Sequence, residues 1–172
     1  MSGSRYIASE DSALFRDALR EHTGDGCLEI GAGNGGNLVE LSKRFRLVVG
    51  TDLVRPSMTD WKEGGANFIL ADSASCVRPQ SLDLVAFNPP YIPTDVEDRA
   101  VDGGRDLEVP KKFMREALRV VRSSGSVLFL LNDEAEVYEF EEICNVVGFH
   151  LERVKSKRLF FEELTVYSAR RR

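Results

Sequence analysis

The segment Glu29-Ile30-Gly31-Ala32-Gly33-Asn34-Gly35-Gly36 is the most informative part of the sequence about the fold class. Before it, residues 27–30 have the apolar pattern of a short buried strand, and after it apolar residues recur at helical spacing. The glycine-rich turn allows a ligand to come close to the backbone. A strand, such a turn and a helix, in this order, predict an α/β domain whose ligand lies at the carboxyl end of the strand.

The rest of the chain alternates in the same way. Further strands are predicted at residues 46–51, 67–71, 82–87 and 126–131, and helical patterns begin after Ser9, at Pro110 and at Val137. Strands that alternate with helices predict a parallel sheet covered on both faces. The last two strand patterns, at residues 150–160 and 163–169, predict an antiparallel hairpin at one side of that sheet.

Composition excludes several classes of protein. The 172 residues are 42% hydrophobic and hold no apolar run long enough to cross a membrane. Three widely spaced cysteines, an odd number, indicate a reducing, cytoplasmic location, and no metal site is expected. The formal net charge of −5 argues against a protein that holds duplex nucleic acid through its phosphates alone. We therefore expect a single soluble domain over residues 1–172.

Basic residues near the carboxyl terminus leave two interpretations open. They are Arg153, Lys155, Lys157, Arg158 and residues 170–172. They form either a local basic face for a nucleic acid or a solvated edge of the sheet, and we favour the solvated edge.

Carboxylates stand at the ends of three successive strands. Glu29 lies two residues before Gly31, Asp52 ends the second strand and Asp72 ends the third. At the ends of adjacent parallel strands they would line one cleft, where Asp52 can accept both ribose hydroxyls of NAD or S-adenosylmethionine. Glu29 favours S-adenosylmethionine, because a dinucleotide fold usually keeps that position apolar and an acid can meet the cationic methionine portion. Asp72 would either face the adenine edge or cap its loop through Ser73.

The fourth strand ends in Phe87-Asn88-Pro89-Pro90-Tyr91, which is unusual for a strand end. Each proline fixes its own φ and keeps the preceding residue extended, so the backbone is rigid before a substrate arrives. The Asn88 side-chain oxygen and the Pro89 carbonyl are then two acceptors that suit a planar NH2 group. Tyr91, with Phe87 as a second wall, can stack on the group that carries it. This motif predicts a site that directs an NH2 nitrogen at an electrophilic methyl group, without a strong general base.

Together these motifs resemble those of class I S-adenosylmethionine-dependent methyltransferases that act on amino groups. More narrowly, the chain resembles the HemK-like protein glutamine methyltransferases, in their short eukaryotic and archaeal branch. Residues 6–12 resemble the opening segment of that branch, residues 103–109 its Gly-Gly segment and residues 163–167 its last strand. Ile7 and Ala8 replace an acid and a proline of the opening segment, and residues 103–109 lack one expected glycine.

The resemblance implies a Rossmann-like methyltransferase fold: a seven-stranded, mostly parallel sheet of order 3-2-1-4-5-7-6, with helices on both faces and a C-terminal antiparallel hairpin. The implied cofactor is S-adenosylmethionine, which leaves as S-adenosylhomocysteine. Its contacts are assigned to Glu10, Ser12, Glu29, Gly31, Gly33, Gly35, Asp52, Leu53, Asp72, Ser73 and Asn88. Catalysis is assigned to Asn88, Pro89 and Tyr91. They would hold the side-chain amide of the glutamine in the Gly-Gly-Gln motif of a class I release factor.

The resemblance also implies a partner, a small zinc-binding activator protein that pairs with the third strand. Phe68 and Ile69 fit such an edge, although both would fit a core position equally well. A nucleic-acid methyltransferase acting on adenine or guanine amines is the competing hypothesis, because Asn-Pro-Pro-Tyr serves such enzymes too. The short, acidic chain disfavours it. An NAD-dependent oxidoreductase and a non-catalytic binding module fit less well, since no hydride-transfer acid is apparent and both motifs are intact.

Overall fold

Seven strands and four helices make up the part of the chain that the computed structural model describes, residues 10–55, 62, 64–89, 107–133, 135–160 and 162–171. The strands are β1 (Gly24–Ile30), β2 (Phe45–Asp52), β3 (Asn67–Leu70), β4 (Leu82–Phe87), β5 (Val121–Asn132), β6 (Phe149–Arg158) and β7 (Glu163–Arg171). The helices are α1 (Glu10–Leu19), α2 (Gly36–Leu41), α3 (Glu108–Val120) and α4 (Val137–Val146). None of these helices has the length and apolar character of a membrane span.

The sheet has the order β3-β2-β1-β4-β5-β7-β6, which confirms the predicted topology. β1 to β5 run parallel, whereas β7 lies antiparallel between β5 and β6. Two strands begin at least three residues before their predicted starts: β1 begins at Gly24 and β5 at Val121. The early start of β1 follows from pairing with β2, where Gly24 lies beside Phe45, so ladder bonds override the weak strand preference of glycine.

Alternation along the strands separates two cores, one on each face of the sheet. On one face, Leu28 and Ile30 of β1 pack with residues of α3 and α4. On the other, Cys27 packs with residues of α1 and α2. Because side chains alternate with a period of two, Glu29 is directed to the same face as Cys27, toward α1 and α2. The helices therefore decide which groups meet a polar side chain at a strand end.

Gly50 of β2 lies where α2 and the glycine-rich turn pack closely against the sheet. A Cβ there would lie 2.6 Å from Leu38 Cδ1 of α2 and 2.9 Å from the Cβ of Ala32 in the glycine-rich turn. We expect Gly50→Ala to lower the free energy of unfolding by about 1–3 kcal/mol, because the well-packed helix and turn must move apart. Urea unfolding checks this, with Gly26→Ala as control, since its nearest neighbour is a leucine methyl at 3.4 Å. Equal losses for both variants would contradict the packing argument.

Candidate active site

The register of the sheet brings three strand ends together. Ile30 of β1 lies beside Thr51 of β2 on one side and beside Phe87 of β4 on the other. The residues that follow are Gly31, Asp52 and Asn88, and they meet at the carboxyl edge of the sheet. This is the edge at which an open α/β sheet binds its ligand.

The turn after β1 is folded tightly through left-handed glycines. Gly31, Gly33 and Gly35 have φ values of 70°, 53° and 81°, a region that other residues rarely adopt. Asp52 fastens this turn to β2, because its Oδ2 accepts a hydrogen bond from the Gly33 N–H at 2.9 Å. Its Oδ1 accepts one from the Val54 N–H at 3.0 Å. The sequence predicted the turn and the acid, but not the hydrogen bonds that join them.

These residues fit the nucleoside portion of S-adenosylmethionine. A Cβ added at Gly33 would meet no atom of the described residues within 4 Å, so one side of the turn is open to a ligand. Each oxygen of Asp52 accepts one backbone hydrogen bond and keeps capacity for a ribose hydroxyl. Glu29, on the α1 and α2 face, has one carboxylate oxygen, Oε2, that is buried without a hydrogen-bond partner in the described part of the chain.

Glu29 is held by a short relay of side chains. It is 2% exposed, and its Oε1 accepts a hydrogen bond from Asn37 Nδ2 at 2.6 Å. Asn37 in turn accepts one from Arg16 Nε of α1 at 3.4 Å. Burial raises the pKa of Glu29 to about 8, because it outweighs the lowering by the Asn37 hydrogen bond and the Arg16 charge. The sequence analysis did not identify Asn37, although its position directly after the glycine-rich turn could have indicated a role in the site. Nothing in the sequence around Arg16 indicates its contact with Asn37.

Glu29→Gln tests this burial through stability. The folded-state pKa of about 8 exceeds the ordinary value of 4.5, so the wild type loses stability as pH rises between them. Glutamine does not ionise, so the variant should match the wild type near pH 5 and exceed it near pH 9. We expect a difference on the order of 2 kcal/mol, or about 4–8 °C in Tm. Thermal melts across this range, with the exposed Glu142→Gln as control, check it. A difference independent of pH would contradict a buried, neutral Glu29.

Asn88 follows β4 and is directed to the α1 face of the sheet. Its Nδ2 donates a hydrogen bond to Asp11 Oδ2 of α1 at 3.1 Å, across 77 residues of sequence. Its Oδ1 is buried and has no hydrogen-bond partner among the described residues. Pro89 is buried, whereas Pro90, Tyr91, residues 6–9 of the opening segment and the Gly-Gly segment at residues 103–106 lie outside the described residues. Asp11 was not singled out from the sequence as a site residue, because nothing local marks it as a neighbour of Asn88.

The other residues predicted to bind the cofactor lie around this edge, and they differ in exposure and in the side chains that they contact. Glu10 pairs with Lys157 of β6, and Ser12 lies two residues further along α1. Leu53, just after β2, is 63% exposed. Asp72, after β3, forms an ion pair of 2.6 Å with Lys112 of α3, so its carboxylate already has a cation beside it. Ser73 is buried with φ of 53°, and its Oγ finds no hydrogen-bond partner in the described ranges.

Phe87 does not form a wall of the substrate site, contrary to the sequence-based expectation. It is fully buried and stacks on Phe129 of β5, with 5.2 Å between ring centroids. It also meets Phe113 of α3 edge-on at 6.0 Å. The reason is alternation: Phe87 is directed to the α3 and α4 face, while Asn88 is directed to the opposite one.

A cleft of about 450 Å³ lies at the other end of the sheet. His22, Asp25, Asp83 and Arg170 are among its lining residues, at the amino ends of β1 and β4. Burial and the nearby Arg170 charge lower the pKa of His22. No predicted site residue lines this cleft, and Asp83 is engaged by the N–H groups of Asp25 and Gly26 and by Arg122. We therefore place the active site at the carboxyl edge, where the polar strand ends converge.

Comparisons with known proteins agree with this geometry. No protein-family model matches the chain. A protein from Methanocaldococcus jannaschii named protein N5-glutamine methyltransferase is 29% identical, over 95% of this chain and 90% of that protein. A release factor glutamine methyltransferase from Caulobacter vibrioides is 30% identical over 63% of this chain, which spans only 45% of the length of that relative.

Solved structures give the same result for the fold. The E. cuniculi Mtq2–Trm112 complex, responsible for methylation of the eRF1 translation termination factor, contains a chain with a TM-score of 0.78 and 26% identity. The match covers 97% of this chain and 98% of that one. The magnesium protoporphyrin IX methyltransferase of Synechocystis with bound S-adenosylmethionine has a TM-score of 0.67 at 15% identity, a likeness of fold alone.

The fold of the chain and its sequence similarities point to the same kind of protein. The seven-stranded sheet belongs to a fold that this chain shares with solved methyltransferase structures. The two curated relatives carry the names of protein glutamine methyltransferases. The chain therefore has the fold of the S-adenosylmethionine-dependent methyltransferases and is similar in sequence to proteins named as glutamine methyltransferases.

Proposed function

We propose that the protein transfers a methyl group from S-adenosylmethionine to the side-chain amide of the glutamine in the Gly-Gly-Gln motif of a class I release factor. The observation that carries the proposal is Asn88 Oδ1, a buried acceptor without a hydrogen-bond partner in the described part of the chain. It lies at the carboxyl end of β4, next to the glycine-rich turn. The names of the relatives and of the eRF1-methylating complex support a glutamine as the acceptor.

S-adenosylmethionine supplies an electrophilic methyl group on its sulfonium sulfur. In our proposal, Asp52 and the turn from Gly31 to Gly35 hold the nucleoside, and Glu29 lies toward the methionine portion. Asn88 Oδ1 and the Pro89 carbonyl accept the two hydrogens of the substrate NH2, with Tyr91 packed on the amide plane. These two hydrogen bonds direct the nitrogen at the methyl carbon and stabilise the positive charge that develops on the nitrogen.

The proposed substrate NH2 is a poor nucleophile, because its lone pair is delocalised into the carbonyl. Formation of the nitrogen–carbon bond would break the sulfur–carbon bond and release S-adenosylhomocysteine, and the proton lost from the nitrogen would pass to solvent water. The two acceptors assist by drawing the N–H hydrogens into hydrogen bonds before the proton departs. Burial keeps the Glu29 pKa near 8, so this carboxyl is largely neutral at pH 7 before the cofactor binds.

The nucleic-acid alternative is weakened by the state of the basic residues. Lys155 of β6 pairs with Asp17 of α1 and with Glu21, which follows that helix, and Lys157 pairs with Glu10. Arg153 pairs with Glu163 of the adjacent strand. The charges of these three residues are therefore already paired within the protein. This favours a solvated edge of the sheet over a face that binds phosphates.

A labelled-methyl assay tests the proposed function. The protein is incubated with labelled S-adenosylmethionine and a class I release factor, its Gly-Gly-Gln→Gly-Gly-Ala variant or total RNA, each with and without a small zinc-binding activator. We expect label on the intact release factor alone. Label on RNA and none on the release factor would support the nucleic-acid alternative, and label on the alanine variant would show that another residue accepts the methyl group.

We further propose that a small zinc-binding partner docks on β3. β3 is an outer strand of the sheet, and strand edges recruit partners through main-chain hydrogen bonds. Ile69 and Leu70 are 40% and 64% exposed, and Leu53 and Val54 beside them are similarly exposed. Phe68 instead packs against the α1 and α2 core.

We also propose a cytoplasmic location, because release factors act in the cytoplasm. Residues 1–172 would form one methyltransferase domain.

Ile69→Asp tests this docking surface. A charge on an apolar interface costs several kcal/mol, so we expect at least about a tenfold loss of affinity for the activator in a pull-down or calorimetric titration. The matched control is Val146→Asp, which introduces the same charge at an 86% exposed residue of α4, beside β6. Unchanged binding by Ile69→Asp would place the partner elsewhere.

A further inference from the structure

Asp11 of α1 faces the amide of Asn88, and its chemistry limits how that amide can lie. The Asn88 Nδ2 donates to Asp11 Oδ2 at 3.1 Å. The amide has one oxygen and one nitrogen on a planar group, and a carboxylate only accepts hydrogen bonds. The side of the amide that faces Asp11 must therefore be the NH2, and the oxygen must face away.

We propose that Asp11 is a positioning residue that fixes the Asn88 amide with its oxygen toward the substrate NH2. The inference rests on the proposed function and adds a residue to it. Without Asp11 the amide could turn over and present its own NH2 to the substrate NH2, so that donors face donors. Asn88 Oδ1 is buried without a hydrogen-bond partner in the described residues, so its capacity to accept a hydrogen bond is unused there.

The charge of Asp11 has a second effect on Asn88. Hydrogen bonds in series polarise one another, so a carboxylate that accepts from Nδ2 makes Oδ1 a stronger acceptor. Methyl transfer places positive charge on the substrate nitrogen, and a stronger acceptor stabilises that charge more in the transition state than in the ground state. Asp11 should therefore act on kcat rather than on cofactor binding.

The fold holds Asp11 in place from both ends of α1. Phe15, Ala18 and Leu19 of this helix are fully buried in the α1 and α2 core. In the first turn, an exposed ion pair joins Glu10 to Lys157 of β6, and it adds little energy but opposes rotation of that turn. A side chain in the first turn of such a helix has a fixed position against the end of β4.

A double-mutant cycle on kcat tests the proposal, with the release factor as acceptor. Asp11→Asn lets the Asn88 amide take either orientation, and we expect about a tenfold fall in kcat. Asn88→Asp places two carboxylates opposite each other, and we expect kcat to fall by at least about a hundredfold. The double variant Asp11→Asn/Asn88→Asp exchanges the two groups, so that the amide lies on α1 and the carboxylate lies after β4. An acceptor oxygen at position 88 still faces the substrate. The double variant should recover about tenfold over Asn88→Asp, although it carries one more change.

Asp17→Asn is the matched control, because it makes the same change on α1 at a residue that pairs with Lys155 and not with Asn88. We expect it to retain wild-type kcat. A double variant no more active than Asn88→Asp would overturn the role of Asp11 while leaving the proposed function intact. A wild type that places no methyl on the release factor would instead overturn the proposed function.

Nuclear magnetic resonance of the wild type gives a measurement that needs neither a substrate nor a folded variant. We expect a nuclear Overhauser contact between the Asn88 side-chain NH2 protons and the Asp11 Hβ protons, with slowed exchange of the hydrogen-bonded proton. Rapid exchange and no such contact would overturn the positioning role.

Discussion

Asn88→Ala should reduce the rate of methyl transfer by about a hundredfold to a thousandfold, with a much smaller effect on the affinity for S-adenosylmethionine. The substitution removes Oδ1, the buried acceptor assigned to the substrate NH2. Loss of one preorganised group that stabilises transition-state charge typically has an effect of this size. Single-turnover transfer of a labelled methyl group measures the rate, and calorimetry measures the cofactor affinity.

Asn145→Ala is the matched control for this substitution, since Asn145 is exposed at the end of α4. Asn88→Ala also removes the hydrogen-bond donor to Asp11, so we expect a stability loss of about 1–3 kcal/mol from this half-buried carboxylate. Rates should therefore be compared well below the Tm of the variant. A variant that transfers methyl groups at the wild-type rate would remove Asn88 from the mechanism.

Asp52→Ala should have the opposite profile, with about a tenfold to hundredfold weaker affinity for S-adenosylmethionine and a smaller effect at saturating cofactor. Two effects add: the ribose hydroxyls lose a charged acceptor, and the Gly33 and Val54 N–H groups lose the carboxylate that fastens the turn to β2. Hydrogen bonds to charged groups contribute about 1.5–3 kcal/mol each. Calorimetric titration with S-adenosylmethionine and S-adenosylhomocysteine measures the loss.

Asp25→Ala provides the control for a lost aspartate, because Asp25 is exposed at the amino end of β1 and pairs only with Arg46 among its described salt-bridge partners. Asp52→Asn should fall between the wild type and Asp52→Ala, since one oxygen of the side chain remains. Wild-type affinity in Asp52→Ala would show that the ribose is held elsewhere.

Local patterns predicted most of the fold. The alternation of strands and helices predicted the parallel sheet and its terminal hairpin, and the family resemblance supplied the order confirmed in the structure. The glycines of the turn were informative because positive φ at Gly31, Gly33 and Gly35 is a local backbone requirement. Strand limits were less accurate, since β1 and β5 extend through residues whose strand conformation depends on their neighbours in the sheet.

The placement of the candidate site residues could be predicted only where they follow strand ends. Glu29, Asp52 and Asn88 could be placed at one edge, because parallel strands end at the same side of a sheet. Phe87 was assigned wrongly, since which face a ring packs on depends on the helices that cover it. The basic residues of β6 were ambiguous for a similar reason: their acidic partners are on α1, far away in the sequence.

The sequence was enough to establish the glycine-rich turn and the acids at the strand ends, and it predicts a rigid pair of acceptors at Asn88 and Pro89. These depend on backbone preferences and on short-range order along the chain. The tertiary structure alone decided that Asp11 meets Asn88 across 77 residues and that Asn37 and Arg16 hold Glu29. Such contacts depend on which helix covers which face of the sheet, and that is fixed only when the strands have paired and both cores have packed.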